Sequence, residues 1–280
     1  MSAVVVPDQP TDDDVAVFCA DVQEHYGYDF RQYHQEPIKR RLDNLLKKTG
    51  CEDVRSLLEA MRADATLFGH ILSELTVTTT AMFRDPEVFA TLVREVFPYL
   101  RTYSRLKIWH AGCATGEEAY SLAILLHEHD LLRRTRIYAT DINPQALAVA
   151  KEGIYPLKKL KGYSQSYSLA GGGRSLSDYF EIDYGLAKVS DEIASRILFS
   201  KHDLVTDSVF GEMQLIVCRN VLIYFNPDLQ PRVMRLFRAS LCAGGFICLG
   251  PSEALSIGNK ERAFRPHARP AMIYRAADSP

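Results

Sequence analysis

Two adjacent carboxylates, Glu117 and Glu118, follow a small-residue turn, Gly112-Cys-Ala-Thr-Gly116, that is delivered by the apolar run Leu106 to Ala111. At the start of a helix such a pair repels a pyrophosphate, which wants bare amides and the positive end of the helix dipole. It attracts a ligand with a cationic end instead. Gly112 and Gly116 let that ligand come close to the backbone. Taken alone, a glycine turn after a strand also fits nicotinamide or flavin binding or tight strand–helix packing, and two acids in a first turn also complement the dipole.

Three further strand ends carry polar groups suited to the same ligand. Asp141 stands at the end of Thr135 to Thr140, where an acidic side chain can accept both hydroxyls of a ribose or can cap the next helix. Lys201-His-Asp-Leu204 offers an acceptor, Asp203, and an apolar side chain, Leu204, to the amine and ring face of an adenine; His202 beside them reads as structural. Cys218-Arg-Asn-Val-Leu-Ile-Tyr224 places Asn220 and Val221 at the carboxyl edge of a sheet, where open α/β sheets bind ligands. An adenosine with a cationic ammonium and sulfonium is S-adenosylmethionine. The Asn-Pro-Pro-Tyr or Asp-Pro-Pro-Tyr turn typical of amide-nitrogen methyltransferases is absent.

The elements that must hold these residues are short β-rich runs alternating with helical stretches, the signature of a parallel sheet with crossover helices. The runs are 106–111, 135–140, 197–200, 215–218 and 246–249, with 271–275 as a final edge strand. An insert over 153–190 reads as a loop plus a small strand-rich subdomain; its Gly171-Gly172-Gly173 is a flexible turn, since no strand leads in and no GK[ST] follows. Ahead of the sheet, 11–75 is helical in rhythm. Val15, Phe18, Cys19 and Val22 form one stripe, Thr11 or an early Asp is the N-cap, and two more helices run over 29–48 and 52–62, with Gly50 suited to a helix C-terminus. The expected organisation is a helical domain at 11–75, a linker and helix at 76–105 that contribute to the site, and the ligand-binding domain at 106–280 with its insert. The hydroxyl-rich joint Thr76 to Thr80, with Phe83 and Arg84 behind it, is unusual for a mere connector.

Bulk properties exclude several classes. With 47% hydrophobic and 24% charged residues the chain has material for a sizeable core. A net charge of -2 argues against a protein that grips nucleic acid phosphates. The six cysteines show neither C-x-x-C nor a Cys/His cluster, so no metal or disulfide framework is expected and reduced thiols of a cytoplasm fit. Met1 to Asp14 lacks the pattern of a signal peptide, and no apolar run reaches membrane-spanning length. The helix after Asp29 carries Lys39, Arg40, Arg41, Lys47 and Lys48, either a solvated face or a docking surface for an acidic partner.

Taken together, Thr78 to Arg84, Gly-Cys-Ala-Thr-Gly-Glu-Glu-Ala-Tyr-Ser from Gly112, Ala-Thr-Asp-Ile-Asn from Ala139 and Cys-Arg-Asn-Val-Leu-Ile-Tyr-Phe from Cys218 resemble the chemotaxis receptor glutamate O-methyltransferases, the CheR family. The resemblance implies a Rossmann-like class I methyltransferase sheet with an all-α N-terminal domain and a small antiparallel β subdomain inserted. It implies that Thr78, Thr80, Arg84 and Glu117 hold the methionine part of S-adenosylmethionine, Asp141 the ribose, and Asp203, Leu204, Asn220 and Val221 the adenine. Arg84 and Tyr224 would face the methyl acceptor, a glutamate of the cytoplasmic part of a chemoreceptor, and S-adenosylhomocysteine would be the product. Thr78 departs from the Asn often found at its position. The insert is short and differs in its glycine loop from members that grip a receptor's carboxyl-terminal peptide, which leaves the helix with Lys39, Arg40 and Arg41 as the main receptor contact. No nucleic acid and no membrane insertion are expected. The competing readings are a non-catalytic adaptor that binds the same cofactor and a methyltransferase for a nucleic acid or small molecule.

Overall fold

The computed structural model describes residues 9–253 and 263–277; the reading of Met1 to Asp14 falls partly outside them. The described chain forms two compact units. One comprises the residues up to Val77 together with Tyr224–Leu229, and the other comprises Thr78–Ile223 and the residues from Gln230 on.

The first unit is built from α1 (Asp12–Tyr26), α2 (Gln35–Thr49), α3 (Val54–Ala63) and α4 (Ala65–Leu75). Thr11 caps α1 through a reciprocal pair with Asp14, and Gly50 ends α2 at φ 72°, a left-handed angle that glycine adopts without strain. The stripe Val15, Phe18, Cys19 and Val22 is buried against Ile38, Leu42 and Leu46 of α2 and Leu57 and Met61 of α3. α2 begins at Gln35 rather than Asp29, because the Asp29 carboxylate takes both the amide and the guanidinium of Arg31 and holds a local turn instead. The cations of α2 are mostly engaged within the chain. Lys39 pairs with Asp12 at 2.7 Å, Lys47 with Asp43 at 2.6 Å and Lys48 with Glu74 at 2.7 Å, while Arg41 donates to the Leu75 carbonyl and Arg40 stays exposed.

The second unit opens with α5 (Pro86–Thr91), a π-helical turn and α6 (Phe97–Leu100), then β1 (Leu106–Ala111), α7 (Glu117–Glu128), β2 (Thr135–Asp141) and α8 (Pro144–Glu152). The insert follows as β3 (Ile154–Pro156), α9 (Leu157–Leu169), β4 (Phe180–Asp183), β5 (Leu186–Val189) and the single turn α10 (Asp191–Ala194). The sheet resumes with β6 (Ile197–Lys201), β7 (Met213–Cys218), α11 (Leu229–Ser240), β8 (Leu241–Leu249), β9 (Phe264–Ala268) and β10 (Ile273–Ala276). Strands lie in the order β6-β2-β1-β7-β8-β10-β9, parallel from β6 to β8 and antiparallel at the last two. The expected fold class therefore holds. The final strand is not the edge, however: β10 lies between β8 and β9, and β9, which the sequence reading did not assign, is the edge.

From β1 the chain moves to β2 on one side, and it later enters β7 on the other. The carboxyl ends of β1 and β7 therefore bound the switch point, where such sheets leave a crevice for ligands. α7 is buried from Glu117 to Leu126, which is why its sequence shows little polar face.

The insert forms a separate antiparallel sheet, β3-β5-β4, as expected, but what reads as a loop in its first half is the 13-residue helix α9. Its anchor is Glu128, which accepts from Tyr167 Oη, from Tyr179 Oη at 2.7 Å and from the Gly173 amide at 3.2 Å. Gly172 is a close-packing position, since a Cβ there would lie 2.2 Å from the Tyr167 ring. Gly172→Ala should accordingly cost about 1–3 kcal/mol through overpacking. Gly173→Ala, with nothing within 4 Å of its Cβ, is the control. Urea unfolding together with limited proteolysis over 157–189 checks this; equal behaviour of the two variants would contradict it.

Candidate cofactor and active site

The crevice is assembled from the loops that leave β1, β2, β6 and β7. The β1 loop turns through Gly112 at φ 72°, Ala114 at φ 48° and Gly116 at φ 91°. Gly112 has to be glycine on a second ground as well: a Cβ there would stand 2.3 Å from Cγ2 of Val221 in the loop after β7. The amides of Gly112 and Cys113 donate to the Thr140 carbonyl at 2.8 and 2.9 Å, which ties the β1 loop to the end of β2. The His202 amide donates to the Asp141 carbonyl at 3.2 Å and brings in the β6 loop.

Asp141 accepts from the Ala114 amide at 2.8 Å through Oδ2 and from the Asn143 amide at 2.9 Å through Oδ1. The cap of α8 is Asn143, whose Oδ1 takes the amides of Gln145 and Ala146, so Asp141 is not a helix cap. Each Asp141 oxygen keeps acceptor capacity for a ligand hydroxyl. Burial raises its carboxyl above the usual range.

Glu117 and Glu118 divide the two roles open to them. Glu118 Oε2 accepts from Arg219 Nη1 at 2.8 Å, and its Oε1 lies 3.3 Å from His110 Nε2. Burial pushes its carboxyl up, but Arg219 and His110 outweigh burial and leave it below its ordinary value. Glu117 is 1% exposed, yet its direct side-chain hydrogen bond is the 2.6 Å contact from the Thr115 hydroxyl, and its nearest cation, Lys159, is 3.9 Å away. Burial raises its carboxyl. Glu117 is thus the acid with charge left to satisfy.

Asp203 and Leu204 are both buried. Asp203 Oδ1 accepts from the Val205 amide at 2.8 Å and its own amide donates to Asp207, which shapes the loop, while burial raises its carboxyl. His202 packs edge-on to Trp109 at 5.1 Å and beside Phe210, as a structural histidine would.

After β7, Asn220 adopts φ 58°, and its Oδ1 is buried without a hydrogen-bond partner. Glu253 compensates the turn: its carboxylate accepts from the amides of Asn220, Val221 and Leu222 at 2.7–2.9 Å and from Gly250 at 2.6 Å. Sequence reasoning missed Glu253; the one hint is its place just past the end of β8. The orphaned Asn220 oxygen faces a missing donor, and an adenine amine would supply one.

Upstream, Thr78 and Thr80 are half-buried with exposed Thr79 between them. Phe83 and Asp85 both have positive φ, 53° and 52°, a strained arrangement for these residue types. The Phe83 ring is fully buried against Phe89 and Tyr167, and its amide donates to Ser121 Oγ at 2.9 Å. Arg84 is exposed between these two fixed residues. Tyr224 belongs to the helical unit, where its ring lies under the Arg41 guanidinium, 5.9 Å from the centroid.

The family model of the CheR methyltransferase all-alpha domain matches residues 13–76, and that of the CheR methyltransferase S-adenosylmethionine-binding domain matches residues 78–271. A Pseudomonas putida protein described as a candidate methyltransferase, Cher3, is 44% identical over 95% of this chain and 97% of its own length. A chemotaxis protein methyltransferase of Vibrio cholerae is 30% identical over 98% of this chain and 99% of its own. Among solved structures, the N-methyltransferase NodS of Bradyrhizobium japonicum, bound to S-adenosylhomocysteine, is 14% identical with a TM-score of 0.41 over 71% of this chain and 89% of that one.

The raised carboxyl of Glu117 sets a pH dependence for its cation site. The charge is present above that raised value and lost as pH falls through it. Affinity for S-adenosylhomocysteine, followed by calorimetry, should therefore begin to fall at a pH above the ordinary glutamate range. Glu117→Gln should weaken binding at neutral pH by about 1.5–3 kcal/mol, the worth of a hydrogen bond to a charged group, and flatten that fall. An unchanged pH profile in the variant would contradict the assignment.

Proposed function

The chain belongs to the CheR methyltransferase family, and on that premise we propose that it methylates glutamate side chains of chemoreceptors, giving glutamyl methyl esters. It is an S-adenosylmethionine-dependent methyltransferase of the CheR type. No helix among the described residues is long and apolar enough to cross a membrane. We take the acceptor to be the cytoplasmic part of a receptor, engaged through α2 around Lys39, Arg40 and Arg41, in the cytoplasm. Of these, exposed Arg40 can act without giving up a partner, whereas Lys39 first has to leave Asp12.

The observation that carries the reading is the posture of Arg84: an exposed guanidinium on a backbone fixed on both sides by buried or paired neighbours. Within this proposal Thr78, Thr80, Arg84 and Glu117 hold the methionine end of the cofactor. Asp141 takes the ribose hydroxyls, and Asp203, Leu204, Asn220 and Val221 take the adenine. The bound cofactor supplies an electrophilic methyl group on a sulfonium.

A glutamate acceptor has a pKa of about 4.3 and is already ionised at neutral pH, so no strong general base is required. The acceptor's oxygen forms a bond to the methyl carbon as the sulfur–carbon bond breaks, leaving a methyl ester and S-adenosylhomocysteine. The protein's task is to strip water from the carboxylate and align it, and proximity of this kind accounts for much of the acceleration. Arg84 is suited to hold the carboxylate by charge-assisted hydrogen bonds, with the Tyr224 hydroxyl as a second donor. Too firm a grip before reaction would raise the barrier, so positioning has to outweigh neutralisation.

Incubation with methyl-labelled S-adenosylmethionine and receptor-containing membranes should give protein-bound label that escapes as methanol in mild base. Label stable to base would point to nitrogen methylation and overturn the reading. Arg84→Ala should lose most turnover, about a hundredfold or more, and Asp141→Ala should chiefly weaken cofactor affinity. Near-normal kinetics for both would remove the assigned site, and Tyr224→Phe isolates the effect of its hydroxyl.

A further inference from the structure

Arg219 directly precedes the assigned Asn220-Val221 pair, and none of the roles above falls to it. Its side chain is 1% exposed, and its hydrogen bonds converge on the segment that carries Arg84. Nη1 donates to the Arg84 carbonyl at 3.0 Å and to Glu118 Oε2 at 2.8 Å, while Nη2 donates to Asp85 Oδ2 at 2.6 Å. The guanidinium also lies over the Phe89 ring, 5.8 Å from its centroid.

A buried guanidinium needs carboxylates to offset its desolvation, and Glu118 and Asp85 do so from two sides. The bond to the Arg84 carbonyl is not needed for charge balance. It fixes the Arg84–Asp85 peptide, one of the two that set the direction in which the Arg84 side chain leaves the backbone. Phe83, just before it in sequence, has positive φ, a conformation that persists for a bulky side chain only when its surroundings hold it. The same turn is held on its other flank by the Phe83 amide on Ser121, whose hydroxyl donates in turn to the Glu117 carbonyl at 2.7 Å.

We propose that Arg219 is the positioning residue for Arg84: it presets the Phe83-Arg84-Asp85 turn so that the Arg84 guanidinium is held for the methionine end of the cofactor and the acceptor carboxylate. This rests on the role assigned above to Arg84. Lysine at 219 would keep a charge beside Glu118 but lose the planar fork that reaches the carbonyl and both carboxylates at once.

The test is a double-mutant cycle read by calorimetry with two ligands, S-adenosylhomocysteine and 5′-methylthioadenosine, the second of which lacks the amino-acid end. Arg219→Lys should weaken S-adenosylhomocysteine about tenfold and leave 5′-methylthioadenosine within about twofold, because the adenosine loops are untouched. In an Arg84→Ala background the same change should have almost no further effect on S-adenosylhomocysteine. An equal loss in both backgrounds, or an equal loss for both ligands, would make Arg219 merely structural and overturn the inference. If Arg84→Ala alone leaves S-adenosylhomocysteine affinity and turnover intact, the role of Arg84 fails first and this inference with it. Should Arg219→Lys not fold, Asp85→Asn removes the charge from the Nη2 contact without uncovering Glu118 and should show the same pattern at smaller size; additivity with Arg84→Ala there would overturn the inference equally.

Discussion

Carboxylates held away from water govern the site, because each must be compensated or lose its charge. Five sit at or behind the carboxyl edge of the sheet, Asp203 in the β6 loop among them, and the other four each meet the constraint differently. Glu253 is wrapped by backbone amides, and Glu118 has Arg219 and His110. Asp141 has two amides and spare lone pairs, and Glu117 has one hydroxyl and a cation at a distance. Glu253 and Glu118, tied to backbone amides and to Arg219, build the frame. Glu117 and Asp141, both raised by burial, keep acceptor capacity, and in the proposed reading an ammonium and two ribose hydroxyls would fill it.

How much was legible in the sequence follows from the range of the interactions involved. β1 was readable to the residue, because its run is buried at every position but Lys107 and stops at Gly112. β9 was not, since Phe264-Arg-Pro-His-Ala carries a proline and little alternation and becomes a strand only because β10 offers an edge to pair with. α9 looked like a loop because Leu160 and Tyr167 are its main buried side chains and serine, glycine and lysine fill much of the rest. The start of α2 was misplaced by a local Asp29–Arg31 turn that competes with helix. In these cases strand pairing, or a side chain bonding a nearby backbone amide, outweighed periodicity.

The site residues divide along the same line. Asp141, Asp203, Asn220 and Val221 stand directly after apolar strands, and their position alone marked them. Arg219 and Glu253 had no such mark: an arginine after a strand reads as surface, and an acid past β8 reads as loop. Apart from Gly250 beside Glu253, their partners lie more than thirty residues away in sequence, and only the fold makes those pairings visible. Glu118 shows the converse, since its neighbour Glu117 looks identical in sequence and the α7 helix alone turns one toward Arg219 and the other toward the Thr115 hydroxyl.

The helical unit is not continuous along the chain. Tyr224 to Leu229 completes it, with the Phe225 ring edge-on to Tyr33 at 5.0 Å, the His34 amide on the Tyr224 carbonyl and the Asn226 amide on the Gln32 carbonyl. During synthesis the four helices emerge before the sheet, yet the His34 amide and the Gln32 carbonyl of the loop between α1 and α2 meet these partners only once the ribosome has passed Leu229. By then β1, β2, β6 and β7 have all been made. The helical unit is therefore finished late, and a fragment cut at its apparent boundary would lose the His34–Tyr224 and Asn226–Gln32 backbone bonds. In the ribosome's terms, the short strand-to-helix passage after β7 acts as a clasp, linking completion of the small unit to synthesis of the large one.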